Sequence, residues 1–231
     1  MKKILFTVLA TVLIFSCSKE SENTMYVKGN VKGLKKGTIY LQKQIDSLIV
    51  SVDSAVVKGS SEFLLEDKIV SPEMYYLALK DTKKKIPFFG EKDTVSITTN
   101  LDKFVVRAKI KGSENQDLLD DYYDIKSKFN DQNLDLIKAE FEAKISGNQD
   151  SIALVEKSLK NLIRRKYLYT TNFAINNAAY EVAPYIALTE LNNATLKLLD
   201  TINASLSPKV KESTYGKQLD DFINKIKETE E

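Results

Sequence analysis

The spacing of apolar residues changes period once along the chain, at Gly112-Ser113, and that change limits what the chain can fold into. Before it, apolar residues alternate over short runs separated by turn residues. After it, they recur every three to four positions. A strand turns successive side chains to opposite faces, whereas a helix returns to one face after about 3.6 residues. The expected class is therefore α+β: an N-terminal antiparallel β-sandwich or meander (residues 25–112), followed by a C-terminal α-helical region (residues 113–231).

Residues 26–31 alternate, and the segment from Gly33 to Gly37 interrupts them. Residues 38–44 make a second strand, with Ile39 and Leu41 on one face and Tyr40 on the other. Residues 48–57 are rich in β-branched side chains, which suit a pleated surface. Lys58-Gly59-Ser60-Ser61 reads as a turn, answered by Glu62-Phe63-Leu64-Leu65. Further strands are expected at 74–80, 86–89, 94–99 and 105–111. Strands this closely spaced, with no helical run between them, favour antiparallel pairing. Lys83-Lys84-Lys85 reads as a solvated hairpin tip.

Ser113 is placed to cap a helix that carries Leu118, Leu119, Tyr122, Ile125 and Phe129 on one side. Leu134, Ile137, Phe141 and Ile145 form a second apolar stripe, ended by Gly147. A long helix is expected from about Gln149 to Asn176-Asn177, and Pro184 suits the first turn of the next, over 183–192. Segments 195–206 and 213–228 complete the set. Most of these stripes read as ordinary core.

The chain has 231 residues, no histidine and one cysteine, Cys17. That removes Ser-His-Asp and Cys-His catalysis, any intramolecular disulfide, and zinc sites built on imidazole or thiolate. Asp120-Asp121 and Asp220-Asp221 are neighbours on helices and point about 100° apart, so neither pair converges on one atom. No glycine-rich phosphate loop or repeated-Asp calcium loop is present. No catalytic residue, cofactor or metal site is expected, and the chain reads as a non-enzyme. It carries 34 basic and 32 acidic residues, and the surplus equals Lys2 and Lys3. So balanced a body lacks the footprint of a nucleic-acid binder. Arg164-Arg165-Lys166 reads as a charged helix face.

Lys2 and Lys3 precede an apolar run at 4–15, which is too short to span a bilayer as a permanent helix. Ile14-Phe15-Ser16-Cys17 follows, then the polar Ser18-Lys19-Glu20-Ser21-Glu22-Asn23. These residues resemble a bacterial lipoprotein signal, apolar at −3 and small at −1, with Phe15 bulkier than usual at −2. The resemblance implies a signal peptide over 1–16, a lipid anchor on Cys17, a tether over 17–24, and an address in the cell envelope, at the outer membrane. The acidic tail is similar to that of surface-exported lipoproteins of the Bacteroidota.

A second resemblance rests on the order and spacing of several segments. Val27-Lys28-Gly29-Asn30-Val31-Lys32-Gly33 opens it, then Thr38-Ile39-Tyr40-Leu41 and Asp53-Ser54-Ala55-Val56-Val57. Ser71-Pro72-Glu73-Met74-Tyr75-Tyr76-Leu77 and Ile110-Lys111-Gly112-Ser113-Glu114-Asn115 follow. The strand-rich half thereby resembles domain-of-unknown-function family 4369 of Bacteroidota lipoproteins. The helical half is similar to that family's linker, through Pro184-Tyr185-Ile186-Ala187-Leu188 and Ser213-Thr214-Tyr215-Gly216. Members typically precede a thioredoxin-like domain in thiol–disulfide proteins. This sequence has no Cys-x-x-Cys, so the redox chemistry of that domain is not implied for it.

Asp-Ser or Asp-Thr followed by an aliphatic residue occurs at Asp46-Ser47, Asp53-Ser54, Asp93-Thr94, Asp150-Ser151 and Asp200-Thr201. Ordinary composition gives roughly one or two. The pattern resembles the O-glycosylation sequence of exported Bacteroidota proteins, which makes Ser47, Ser54, Thr94, Ser151 and Thr201 candidate acceptors. The alternative is that Asp-Ser/Thr starts strands and caps helices. The sequence thus points to a non-catalytic envelope lipoprotein, held at the membrane through Cys17 and acting as a binding or docking module. An envelope protein, such as a thioredoxin-like one, is the expected partner, and a small-molecule carrier or sensor is the alternative.

Overall fold

The computed structural model describes residues 23–46, 48–80 and 82–230. The signal at 1–16, Cys17, most of the tether at 17–24 and Ser47 lie outside the described residues. Eight strands come first: β1 (Thr24–Lys32), β2 (Lys36–Ile45), β3 (Leu48–Lys58), β4 (Glu62–Lys68), β5 (Glu73–Leu79), β6 (Lys85–Gly90), β7 (Asp93–Asn100) and β8 (Lys109–Lys111). Helices follow: α1 (Glu114–Ser146), α2 (Gln149–Asn176), α3 (Val182–Glu190), α4 (Leu196–Ser205), α5 (Pro208–Lys211) and α6 (Thr214–Glu230). The α+β expectation holds, strands before helices.

The strands form two four-stranded sheets, ordered β4-β1-β7-β8 and β3-β2-β5-β6. Alternate residues of each turn inward: Val27, Val31, Val95 and Ile97 from the first sheet meet Ile39, Leu41, Leu77 and Phe88 from the second in one buried cluster. This is a sandwich, as the alternation requires. It is not a simple meander, because β1 and β7 pair in parallel. The chain crosses between sheets before β7 returns beside β1, so no tight hairpin dictates their direction.

The strand expected over 105–111 shrinks to β8. Thr99 Oγ1 donates to the Phe104 carbonyl at 2.7 Å, and Arg107 N to the Lys103 carbonyl at 2.9 Å. These bonds wind residues 103–107 into turns, with Phe104 buried and Val106 exposed. A second apolar cluster lies among the helices and includes Ala174, Leu199, Ile202, Leu219 and Ile223.

The two stripes at 118–129 and 134–145 belong to one 33-residue helix, α1. Ser113 caps it, accepting from Gln116 N, and Gly147 ends it in the left-handed region. The expectation that Leu134, Ile137, Phe141 and Ile145 are core fails, for all four are exposed. Lys126 Nζ reaches Glu190 of α3 at 2.5 Å. Farther along, Phe129 lies against Tyr169, and Gln132 accepts from Arg165, both of α2. A two-helix projection has a single seam to bury, and these four side chains lie off it.

Candidate functional site

The sheets and helices meet at a built joint. Gly112 has φ +90°, and a Cβ there would collide with the Thr94 carbonyl, so only glycine lets the chain leave β8 at this angle. Ser113 Oγ and Asn115 N then donate to Glu91 Oε1 at 2.7 and 2.6 Å. One helical turn on, Gln116 Oε1 accepts from Phe89 N of β6 at 2.8 Å. Asn115 Oδ1 accepts from Val182 N at 2.7 Å, joining the start of α1 to that of α3. On the opposite rim, Met74 N donates to Tyr215 Oη at 3.0 Å, and Thr214 N to Ser71 Oγ at 3.2 Å. Between them lies a third apolar cluster built on Phe89, Leu119, Tyr122, Val182 and Ile186. Phe89 sets its ring nearly perpendicular to Tyr185 and Tyr215, with centroids 5.3 and 6.1 Å away.

A cleft of about 300 Å³ opens at the edge of this joint. Glu73, Met74 and Tyr76 of β5 line one wall, and Tyr185, Leu188 and Tyr215 the other; Gln44 and Asp46 close one end. The Tyr185 and Tyr215 rings lie 5.2 Å apart. Burial, then the nearby phenols of Tyr123 and Tyr215, holds the Tyr185 phenol far above its usual range. Burial pushes Tyr215 up to about 12, against the hydrogen bond from the Met74 amide. The cleft thus offers the phenols of Tyr185 and Tyr215, held neutral by burial, beside the carboxyl groups of Asp46 and Glu73, with no lysine or arginine among its lining residues. Aromatic faces beside acceptors suit a small polyol or a cation, and no nucleophile–base pair faces the opening.

Glu73 is largely committed to the fold. Lys43 Nζ of β2 lies 2.9 Å from Asp67 Oδ2 of β4 and 3.3 Å from Glu73 Oε1. The Tyr75 hydroxyl donates to Asp67 Oδ2 at 2.8 Å. Burial alone would lower the Lys43 ammonium, but Asp67 and Glu73 hold it above its usual value. The cluster ties one sheet to the other.

The second concavity runs between α1 and α2. A groove of about 740 Å³ has Gln132, Asp135 and Leu136 on one bank, and Ser158, Asn161, Arg164, Arg165 and Leu168 on the other. Arg165 Nη2 donates to Gln132 Oε1 at 3.0 Å. Lys166 turns away and pairs with Glu190 at 3.4 Å. The basic run therefore divides, and only its arginines front the groove.

The acidic pairs take no site-like form. Asp120 Oδ1 accepts from Gln116 at 2.7 Å, and Asp220 accepts from Asn203 and Asn224. Among the described residues no cluster of three or more Asp, Glu, Cys or His residues is arranged to hold a metal ion. No described helix is long and apolar enough to cross a membrane.

Of the candidate acceptors, Ser54, Thr94 and Thr201 are exposed and Ser151 is half-buried. Their aspartates have structural work. Asp53 Oδ2 accepts from Glu66 N at 2.9 Å, linking β3 to β4. Asp46 and Asp93 sit at positive φ beside strand starts, Asp150 lies in the first turn of α2, and Asp200 pairs with Lys227.

Residues 25–119 match the sequence model of DUF4369, described as a domain of unknown function. That match covers the strand-rich part of the chain and the first turns of α1. No curated protein matches the chain. A solved structure described as "pT26-6p" is similar over 84 % of this chain at 12 % identity, with a TM-score of 0.18. The chain spans 42 % of the length of that structure, and a score so low establishes no shared fold. DUF4369 brings no catalytic assignment. Its match ends at Leu119 and so takes in Ser113, Gln116 and Leu119, which fasten α1 to the sandwich. The α1–α2 groove falls outside it. Sequence reasoning missed the joint because its partners are remote in the chain: 141 residues separate Met74 from Tyr215.

Proposed function

We propose that this protein is a non-catalytic docking module of the cell envelope, anchored by lipid on Cys17, with the α1–α2 projection as its docking platform. One observation carries the reading: the sheet–helix joint is filled by its own side chains, while the projection bears an open groove with two arginines on its bank. A surface with Arg164 and Arg165 over Leu136 and Leu168 suits an acidic, amphipathic segment of a partner. An envelope protein of the thioredoxin-like kind is the partner to seek, since the leader and the family resemblance point to that compartment. Affinity capture from native membranes tests this. Wild-type protein should enrich a partner that the Arg164→Glu/Arg165→Glu variant does not; equal recovery, or none above background, sinks the reading. Palmitate should label the wild type and not Cys17→Ala. Intact mass of native protein tests the acceptors Ser47, Ser54, Thr94, Ser151 and Thr201: absent hexose increments, they are unmodified.

The tyrosine-lined cleft supports a second reading, a small-molecule carrier or sensor. Its volume lies at the lower end of the roughly 300–1,000 Å³ of ligand pockets. With no tryptophan in the chain, tyrosine emission should change on binding and lose that response in Tyr215→Phe.

A further inference from the structure

We infer that the face of α1 opposite the groove is an interface between two copies of this chain. Leu134, Ile137, Phe141 and Ile145 recur at spacings of three, four and four, so they lie on one side of the helix. They are 64, 47, 66 and 71 % exposed. At about 100° per residue, Phe141 points about 180° from Gln132 of the groove, so the two surfaces are separate.

The charges bordering the stripe select a second copy. Lys138 and Glu142 lie on one border, Glu140 and Lys144 on the other, and each pair is four residues apart on α1. Each border thus carries a pair of opposite charges, and Asp131 and Asp135 add two carboxylates to the Lys138–Glu142 side. An antiparallel copy related by a twofold axis meets lysine with glutamate along both borders, the self-complementarity that an isologous interface requires. The excess of carboxylates on one border gives an anionic membrane surface nothing to attract it. The four side chains expose on the order of 500 Å² per copy, and with their borders approach the roughly 800 Å² per partner of a standard interface. Two copies so joined bury the stripe in an α1–α1 seam, a cover that one hairpin cannot supply. The dimer leaves both grooves open.

Sedimentation of the full chain carrying Cys17→Ser tests the inference. It should be dimeric at micromolar concentration, and Phe141→Asp should raise the dissociation constant at least tenfold while circular dichroism stays unchanged. This background has no other thiol, so under a mild oxidant Phe141→Cys, beside the twofold that pairs Lys138 with Glu142 and Glu140 with Lys144, should give a disulfide-linked dimer far faster than Asp135→Cys on the groove side. A monomer at all concentrations, a dimer indifferent to Phe141→Asp, or faster linking through Asp135→Cys would overturn it. So would a monomer that instead sediments with phosphatidylglycerol vesicles through Phe141, which assigns the stripe to a lipid surface. The Arg164→Glu/Arg165→Glu variant should remain dimeric, so this interface and the groove fail separately.

Discussion

Gln116 and Asp120 show how much one turn of helix is asked to hold. Gln116 satisfies the buried Phe89 N–H through Oε1 and gives its Nε2 to Asp120. Replacing it with alanine leaves that N–H without an acceptor, at a cost of about 1–3 kcal/mol. Chemical denaturation should show the loss, and an unchanged midpoint would remove Gln116 from the joint. Asp120 pulls the other way. Burial raises its pKa above the usual carboxylate value, the carboxylates of Asp117, Asp124 and Asp121 add to the rise, and the Gln116 hydrogen bond opposes it. The folded chain therefore holds this proton more tightly than the unfolded chain. Its contribution is most favourable below the unfolded pKa and is lost as pH rises through the raised folded value. Asp120→Asn has no such loss, so its melting temperature relative to wild type should climb by roughly 1–3 °C between pH 4 and 7. A difference that stays flat with pH would show that burial does not raise the Asp120 carboxyl.

At the scale of elements, tyrosines serve both the joint between β5, β6 and the helices, through Tyr122, Tyr185 and Tyr215, and the tie between the sheets, through Tyr75. Burial heads the causes that hold the phenols of Tyr75, Tyr122, Tyr185 and Tyr215 above their usual range. These groups stabilise the fold fully below the unfolded phenol value near 10, and that stabilisation fades as pH rises beyond it. Of the eleven tyrosines, at least these four should form phenolate only together with alkaline unfolding. Early, reversible appearance of all eleven in absorbance would contradict the packing. The elements themselves were largely legible: Val27 and Val31, or Val95 and Ile97, announce strands by alternation, and Ser113 and Gly147 bound α1 as capping chemistry requires. What was not legible depends on remote partners. Nothing near Val105 shows that Thr99 will capture the Phe104 carbonyl and shorten β8. Nothing in the spacing of Leu134 to Ile145 tells whether a third layer will cover it. The groove arginines could be read as a charged face, but their separation from Lys166 depends on Glu190 of α3.

At the scale of the molecule, the sandwich core and the helical core share no cluster, and the third cluster around Phe89 connects them. Whether they unfold as one body therefore depends on a few side chains. Phe89 is buried on β6 and touches rings from α3 and α6. Its removal costs about 3–5 kcal/mol, and because its partners lie on the helices that loss falls on the coupling between the two cores. Hydrogen exchange can separate the halves through the amides of Val95 and Ile97 in β7 and of Leu219 and Ile223 in α6. In the wild type both sets should open with the same free energy, as one cooperative unit. In Phe89→Ala they should part, the sandwich keeping the larger protection because its two sheets are also tied by Lys43, Asp67 and Tyr75. Two sets that already differ in the wild type would mean the joint only positions the helices on the sheet. A variant in which both fall equally would place the coupling elsewhere, in the Glu91 and Ser71 hydrogen bonds at the two rims.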